Sequence, residues 1–218
     1  GEYFEIMEDE HGGYMLNSKD MCLLPRLDDL LKIGIDSLKV EGRNKTEYYA
    51  GIVARAYRQA IDDYYAAPDK WNYQKYMLEL DILQNRGYCL GFHDGKLTNI
   101  SQNYEYTRTL GNWLFAGSIV EWQNDDAIFE IRNYINSGEF IEFLIPGTLE
   151  NLRLTLDRFE DAETGEITPK VSAGQNKKIR IKPKDWPRPV QEIKKLLPQY
   201  VIARKLAALT PENEQMLK

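Results

Sequence analysis

Two cysteines and two histidines in 218 residues leave little room for soft-metal or disulfide chemistry. Cys22 and Cys89 lie far apart with no CxxC partner. Neither can build a sulfur-rich metal site alone, and no disulfide framework is indicated, so free thiols in a reducing compartment are expected. His11 and His93 stand near glycines in turn-like sequence, where a histidine is far more often a surface residue than a ligand. No Ser/His/Asp or Cys/His constellation and no HExxH motif occurs, which weighs against ordinary hydrolysis. No apolar run approaches the roughly 20 residues needed to cross a bilayer. The start, Gly1-Glu2-Tyr3-Phe4, has no signal-peptide pattern. A soluble, cytoplasmic protein with no membrane partner and no metal site of its own is expected. The net charge of −6 argues against a surface devoted to nucleic acid, though not against a local basic patch.

What is present is enough apolar material, 43% of the residues, for one large domain or two small ones. Tyr14-Met15-Leu16 reads as a short strand. Pro25 suits a first helical turn, Leu27, Leu30 and Leu31 recur at helical spacing, and Gly34 fits a left-handed stop. Ile35–Glu41 then reads as a strand. A second helix is expected from Asn44, which pairs with Glu47 in a capping-box pattern, through Tyr65, with Val53, Ala56, Tyr57, Ala60 and Tyr64 on one face. Helix, strand, helix with tight joints is the grammar of a parallel α/β sheet or barrel. After the break at Ala67-Pro68-Asp69, residues 71–84 read as a helix and the stretch to 112 as irregular connection.

From Trp113 the pattern changes to short strand-like runs, at 113–122, 127–134, 139–145, 152–159 and 178–182. They are separated by Asn124-Asp125-Asp126, Asn136-Ser137-Gly138, Pro146-Gly147 and Glu163-Thr164-Gly165. A small β-barrel or sandwich is expected there, with Trp113, Phe115, Trp122, Phe129, Phe140, Phe143 and Phe159 as its core. Residues 190–209 read as a helical tail divided at Pro198. The expected architecture is thus an α/β part, the last βα unit of a TIM-type barrel, at 1–66. A connection follows at 67–112, then an all-β barrel at 113–184 and a helical tail at 185–218.

The segment that carries chemistry is Ser37-Leu38-Lys39-Val40-Glu41-Gly42-Arg43. In a strand, Lys39 and Glu41 share one face and Leu38 and Val40 the other. A strand flanked by helices in a parallel sheet is normally buried on both faces. Two charges on one face must therefore be paired, solvated in a cavity, or used on a ligand. The carboxy ends of barrel strands form the active-site mouth, where Gly42 permits a sharp turn and Arg43 offers a fork for anions. An ordinary salt bridge closing the barrel rim remains the competing account.

These residues, in order, resemble a known family. Asn17-Ser18-Lys19-Asp20, Leu27 to Gly34, Ser37 to Arg43, Tyr48-Tyr49 and Ala56-Tyr57-Arg58-Gln59-Ala60-Ile61-Asp62 are similar to the "NSKD … GIDSLKIEGR … YY … YRQAID" core of the collagenase-like peptidases, peptidase family U32. The resemblance is dense over 2–65, weakens over 66–112, returns as a general likeness of 113–182 to the family's accessory β-barrel, and departs past about 183. It implies a parent enzyme that is a peptidase, or one that hydroxylates tRNA wobble uridine with prephenate. It implies catalytic roles for Lys39, Glu41 and Arg43 and substrate contacts for Asn17, Ser18 and Asp20. The hydroxylation-linked members carry an iron–sulfur cluster on four cysteines upstream of the NSKD-like segment, so no cofactor is expected within this chain.

The partners expected are an amino-terminal barrel part, a tRNA or peptide substrate, and a second copy of the chain. The alternative is a binding module without catalytic activity. In that account Lys177, Lys178, Arg180, Lys182 and Lys184 would meet RNA and Trp186 would stack a base; the competing account of this charge run is a solvated strand face.

Overall fold

The computed structural model describes residues 7–9, 12–14, 18–43, 45–96, 101, 112–174 and 177–207. The chain divides into two compact units, residues 1–43 with 52–111, and residues 44–51 with 112–218.

In the first unit a short antiparallel pair, β1 (Met7–Asp9) with β2 (Gly12–Tyr14), precedes β3 (Asp20–Met21). Pro25 lies in a 3-10 turn, Leu24–Arg26, that runs into α1 (Leu27–Lys32). Leu24 and Leu27 are fully buried, and Gly34 takes φ +80° just past the helix, the left-handed stop its position demands. The long α2 (Glu47–Ala66) buries Ile52, Val53, Ala56 and Ala60 within this unit. A 3-10 turn at Pro68–Lys70 leads to α3 (Gln74–Asp81), which buries Tyr76 and Leu80. β4 (Tyr88–Cys89) then returns parallel to β3, in the register Asp20↔Tyr88 and Met21↔Cys89.

The strand expected over 35–41 does not form. Residues 35–42 carry no strand pairing, and Ile35 and Val40 are exposed. An extended segment becomes a strand only when a neighbour completes its hydrogen-bond ladder; none of the described residues supplies one. Asn44, the expected cap, lies outside the described residues, as do Met15 and Leu16 of the first expected strand.

The second unit is an antiparallel sheet. Its strands are β5 (Trp113–Gln123), β6 (Asp126–Ile131), β7 (Ile135–Asn136), β8 (Phe140–Leu144), β9 (Asn151–Thr155), β10 (Phe159–Asp161), β11 (Ile167–Thr168), β12 (Lys170–Val171), β13 (Lys178–Ile181) and β14 (Ile202–Leu206). Eight of them form one sheet in the order β11-β10-β13-β6-β5-β14-β8-β9, and β7 pairs with β12. Leu152 and Leu154 of β9 share one apolar core with Phe159 of β10, Ile119 of β5 and Ile181 of β13. Strands near opposite ends of the ladder thus line the same interior, so the sheet curls into a half-barrel.

Turn chemistry fixes the reversals. Asn124 adopts φ +57° between β5 and β6, a conformation asparagine tolerates better than most residues. At Gly117, an added Cβ would lie 2.0 Å from the Glu130 carbonyl oxygen, so glycine lets β5 approach β6 closely.

The expected helical tail is only half there. α4 (Val190–Leu196) forms, but the chain then extends and β14 inserts between β5 and β8. Ile193, Leu197, Val201 and Ala203 join the half-barrel core. Val201, Ala203 and Leu206 suit either period, and the free ladder positions on both sides decide for the strand. Residues 208–218 lie outside the described residues.

Candidate functional site

The predicted trio sits on the segment that ends the first stretch of the first unit. Lys39 Nζ lies 3.9 Å from Glu41 Oε2, with the two side chains 87% and 61% exposed. The other oxygen, Glu41 Oε1, accepts the Arg43 backbone N–H at 3.0 Å. Lys39 and Glu41 are therefore neighbours, as alternation predicts, but both face water. Neither charge is buried by a flanking helix among the described residues. An exposed pair of this kind contributes at most about 1 kcal/mol. Its charges remain available to a further charged group.

Of the second predicted group, Ser18 is exposed and Asn17 lies outside the described residues. Asp20 is engaged: Arg86 donates to its Oδ1 from Nε at 3.1 Å and from Nη2 at 2.7 Å. This pair sits where β3 and β4 begin, which in a parallel sheet is the end associated with stability. Asn85 fixes that corner, donating to Leu83 O and accepting from the Gly87 N–H, each at 2.8 Å.

Three of the five cations in the basic strip of the second unit are paired with carboxylates. Arg180 reaches Asp126 at 3.1 Å and Glu160 at 3.7 Å, and Lys182 reaches Glu160 at 2.5 Å. Lys177 lies 3.8 Å from Asp161, and Lys178 stands opposite Glu130 in the β13–β6 ladder. Lys178 and Lys184, the latter exposed in the 3-10 turn Pro183–Asp185, have no ion pair among the described residues. Carboxylates on β6 and β10 neutralise the field that phosphates would need. Trp186 is no stacking platform: it is 6% exposed and packs in the core, 5.4 Å from Phe143 and 6.0 Å from Trp122.

Charged groups that the sequence did not reveal lie on the face of the sheet away from the core. Glu142 on β8 accepts from Arg204 Nε and Nη2 at 2.7 and 2.6 Å, from Arg153 Nε at 2.8 Å and from Asn151 at 3.1 Å. Glu142 and Arg204 are 3% and 5% exposed. The Arg204 guanidinium lies 4.3 Å from the Trp113 ring centroid, and that of Arg153 5.1 Å from Phe140. On the other face of β14 the buried Lys205 donates to Tyr134 O at 2.9 Å, pairs with Glu139, and lies over the Tyr134 ring. Trp113 is buried as expected, with the Arg204 guanidinium over its ring, whereas Phe140 is only half-buried and lies beneath Arg153. Glu142 was legible in principle, as the one charge in Phe140-Ile141-Glu142-Phe143-Leu144.

In the first unit the polar contacts tie helix to helix. Asp63 of α2 accepts from Lys75 and Tyr76 at 2.7 Å each and from Gln59 at 2.8 Å. Burial raises its carboxyl, but those hydrogen bonds outweigh burial and hold it below the ordinary range. Burial and the bond to Asp63 push the Tyr76 phenol up to about 12. Arg55 and Glu79 form a second, mostly buried pair at 2.9 Å.

Neither cysteine is placed to share a cluster. Cys22 Sγ lies 3.7 Å from the Tyr57 hydroxyl and 3.9 Å from Met77 Sδ, whereas Cys89 Sγ lies against Lys19 O. Met21 pairs with Cys89, which puts the Cys89 side chain on Met21's face and Cys22 on the other. Among the described residues no group of three or more His, Cys, Asp or Glu could hold a metal ion. No described helix is long and apolar enough to cross a membrane.

Residues 2–103, almost half of the chain, match peptidase family U32. Within it the likeness runs toward proteins of tRNA modification. The chain is 37% identical over 171 residues to tRNA hydroxylation protein P of Escherichia coli K12, covering 78% of this chain and 37% of that protein. It is 29% identical over 182 residues to tRNA hydroxylation protein P1 of Bacillus subtilis strain 168, covering 82% of this chain and 43% of the relative. The chain thus spans about two fifths of the length of these relatives. Among solved structures, the C-terminal domain of a Geobacillus thermoleovorans protein of the U32 peptidase class matches 42% of this chain and 99% of its own at 23% identity, with a TM-score of 0.33.

Proposed function

We propose that this chain is the carboxy-terminal part of a tRNA-hydroxylating protein, one that modifies uridine with the rest of its barrel supplied by other residues of the parent protein. The observation that carries this reading is the 37% identity to the Escherichia coli protein over 171 residues. That span is longer than the 2–103 family match and so reaches into the half-barrel. In this reading Lys39, Glu41 and Arg43 act on the substrate, with Ser18 and Asp20 in lesser contact roles. Two cations and a carboxylate on one exposed turn suit an anionic substrate, and a guanidinium fork is well matched to phosphate or carboxylate. An iron–sulfur cluster, where the parent holds one, rests on cysteines other than Cys22 and Cys89. The partners are the barrel part and tRNA.

The test is made in the organism that carries the full-length protein. Its gene is deleted, and nucleosides from digested tRNA are measured by mass spectrometry. Deletion is expected to abolish hydroxylated uridine, and the wild-type gene to restore it. Lys39→Ala and Glu41→Ala in the full-length protein are expected not to restore it, while melting stays within about 0.5 kcal/mol of wild type, as for other exposed positions. Hydroxylated uridine that persists at its normal level after deletion overturns the reading. A gain of gelatin or peptide cleavage by the purified parent would move it to the peptidase side.

A further inference from the structure

Charge does not balance around Glu142. Two guanidiniums, from Arg204 and Arg153, close on its single carboxylate, so one positive charge is left over on this face of the half-barrel. The excess falls on Arg153. Arg204 and Glu142 are both buried and joined by two hydrogen bonds. Arg153 reaches the carboxylate through Nε alone, at 2.8 Å, and its side chain is 47% exposed. Its terminal Nη1 and Nη2 make no hydrogen bond among the described residues.

The head of Arg153 is also held in place. Leu152 and Leu154 belong to the core, so Arg153 between them stands on the outer face of β9, the last strand in the sheet order. There Glu142 ties Nε, and the guanidinium lies over the Phe140 ring, 5.1 Å from its centroid. Asn151 and Thr155, which share its face on β9, carry no charge. An arginine tied at Nε and resting on a ring presents its terminal nitrogens as a preset fork, and little freedom is lost when an oxyanion fills it. Arg180 of the basic strip offers no such fork. Its Nη1 is engaged by Asp126 and Gln123, and its Nη2 by Ala162 O.

We propose that Arg153 is a phosphate-binding residue, taking one backbone phosphate of an RNA on the outer face of the half-barrel, with Glu142 and Phe140 as positioning residues. The inference rests on the reading that the parent protein acts on tRNA, and that reading favours RNA over an acidic protein segment. A phosphate matches the fork with two oxygens and answers the unbalanced charge, which a neutral ligand would leave as it is.

The experiment measures binding of the purified full-length protein to an unmodified tRNA transcript with uridine at the wobble position. Fluorescence anisotropy is read at several salt concentrations, with melting as the folding control. Arg153→Ala is expected to weaken binding about tenfold. It should also make the slope of log K against log salt shallower by about 0.7–0.9, the counterion release of one phosphate contact. A merely structural residue would leave that slope unmoved. Arg153→Lys keeps the charge without the fork, so it is expected to keep the slope and bind more weakly than wild type. Should Arg153→Ala not accumulate as folded protein, Arg153→Gln takes its place under the same expectations. Wild-type affinity and slope in the folded variant overturn the inference, as does a loss that merely follows the folded fraction. Poly-glutamate is the second probe. If Arg153→Ala weakens its binding and leaves the transcript's untouched, the fork belongs to an acidic protein and the RNA assignment falls. A wild-type protein that does not bind the transcript also overturns the site. The reading of tRNA hydroxylation is decided separately, by hydroxylated uridine after deletion of the gene: if deletion abolishes it while Arg153→Ala binds as wild type does, only the site fails.

Discussion

Removing the Glu142 carboxylate tests how the half-barrel tolerates charge. Glu142 receives Nε and Nη2 of Arg204 within 2.7 Å and Nε of Arg153 at 2.8 Å, so two guanidinium charges depend on one carboxylate. Breaking a buried pair by deleting one partner costs about 3–5 kcal/mol, because the remaining charge stays out of water. Two features temper that figure. Arg153 is 47% exposed and can turn to solvent, so its share is at most about 1 kcal/mol. The face of Trp113 beside Arg204 offers about 1–2 kcal/mol of cation–π attraction in compensation.

Glu142→Ala should therefore lose about 3 kcal/mol, which for a chain of this size is a fall of roughly 10 °C in Tm. Urea unfolding followed by tryptophan fluorescence is a suitable assay. Three of the four tryptophans, Trp113, Trp122 and Trp186, lie in the second unit, and Trp113 touches Arg204. Glu142→Leu with Arg204→Met should regain most of the loss, since an apolar replacement of both partners removes the unpaired charge. A loss from Glu142→Ala no larger than that from Arg153→Ala would mean that burial of the Glu142–Arg204 pair adds no cost.

Three further outcomes are expected. Gly117→Ala should cost about 2–4 kcal/mol in the same urea assay, because its Cβ meets the backbone carbonyl of Glu130 and no side-chain rotation relieves that. Asp63, held below the ordinary carboxylate range by its hydrogen bonds to Lys75, Tyr76 and Gln59, stabilises the first unit above that range and loses its contribution as pH falls through the lowered value. Asp63→Asn should accordingly flatten the dependence of stability on pH below about 4, read from melting curves in acid. Burial pushes the Cys22 thiol up, so at pH 8 Cys89 should alkylate with iodoacetamide well before Cys22, as peptide mass spectrometry would resolve.

Much of this fold was legible because local chemistry and tertiary context agree. Pro25, Gly34 and Ala67-Pro68 bracket helices that form close to where periodicity puts them, and the turns at Asn124, Gly138, Gly147 and Gly165 all take positive φ. Legibility failed where a segment's state is decided by neighbours. Ile35–Glu41 alternates as a strand should, yet alternation does not supply a ladder. Ile202-Ala203-Arg204-Lys205-Leu206 reads equally well as a helix with a basic face. In the sheet its two cations are instead among the most buried polar residues described. Trp186 looked available because of the lysines beside it, whereas burial of its large apolar ring outweighs the company it keeps. The charged trio was found in sequence, but its exposure depends on what surrounds the turn, which no spacing rule encodes.

The place of β14 bears on how this protein comes into being. β14 lies between β5 and β8 but follows every other strand of this sheet in sequence, so translation delivers it after both of its neighbours. Until residues 202–206 emerge, the β5–β6 and β8–β9 hairpins can each close, but they face one another across a gap with two open edges. Such edges readily recruit strands from other chains. The nascent half-barrel is therefore most exposed to aggregation just before its completion, and a stop codon ahead of Ile202 should yield insoluble protein.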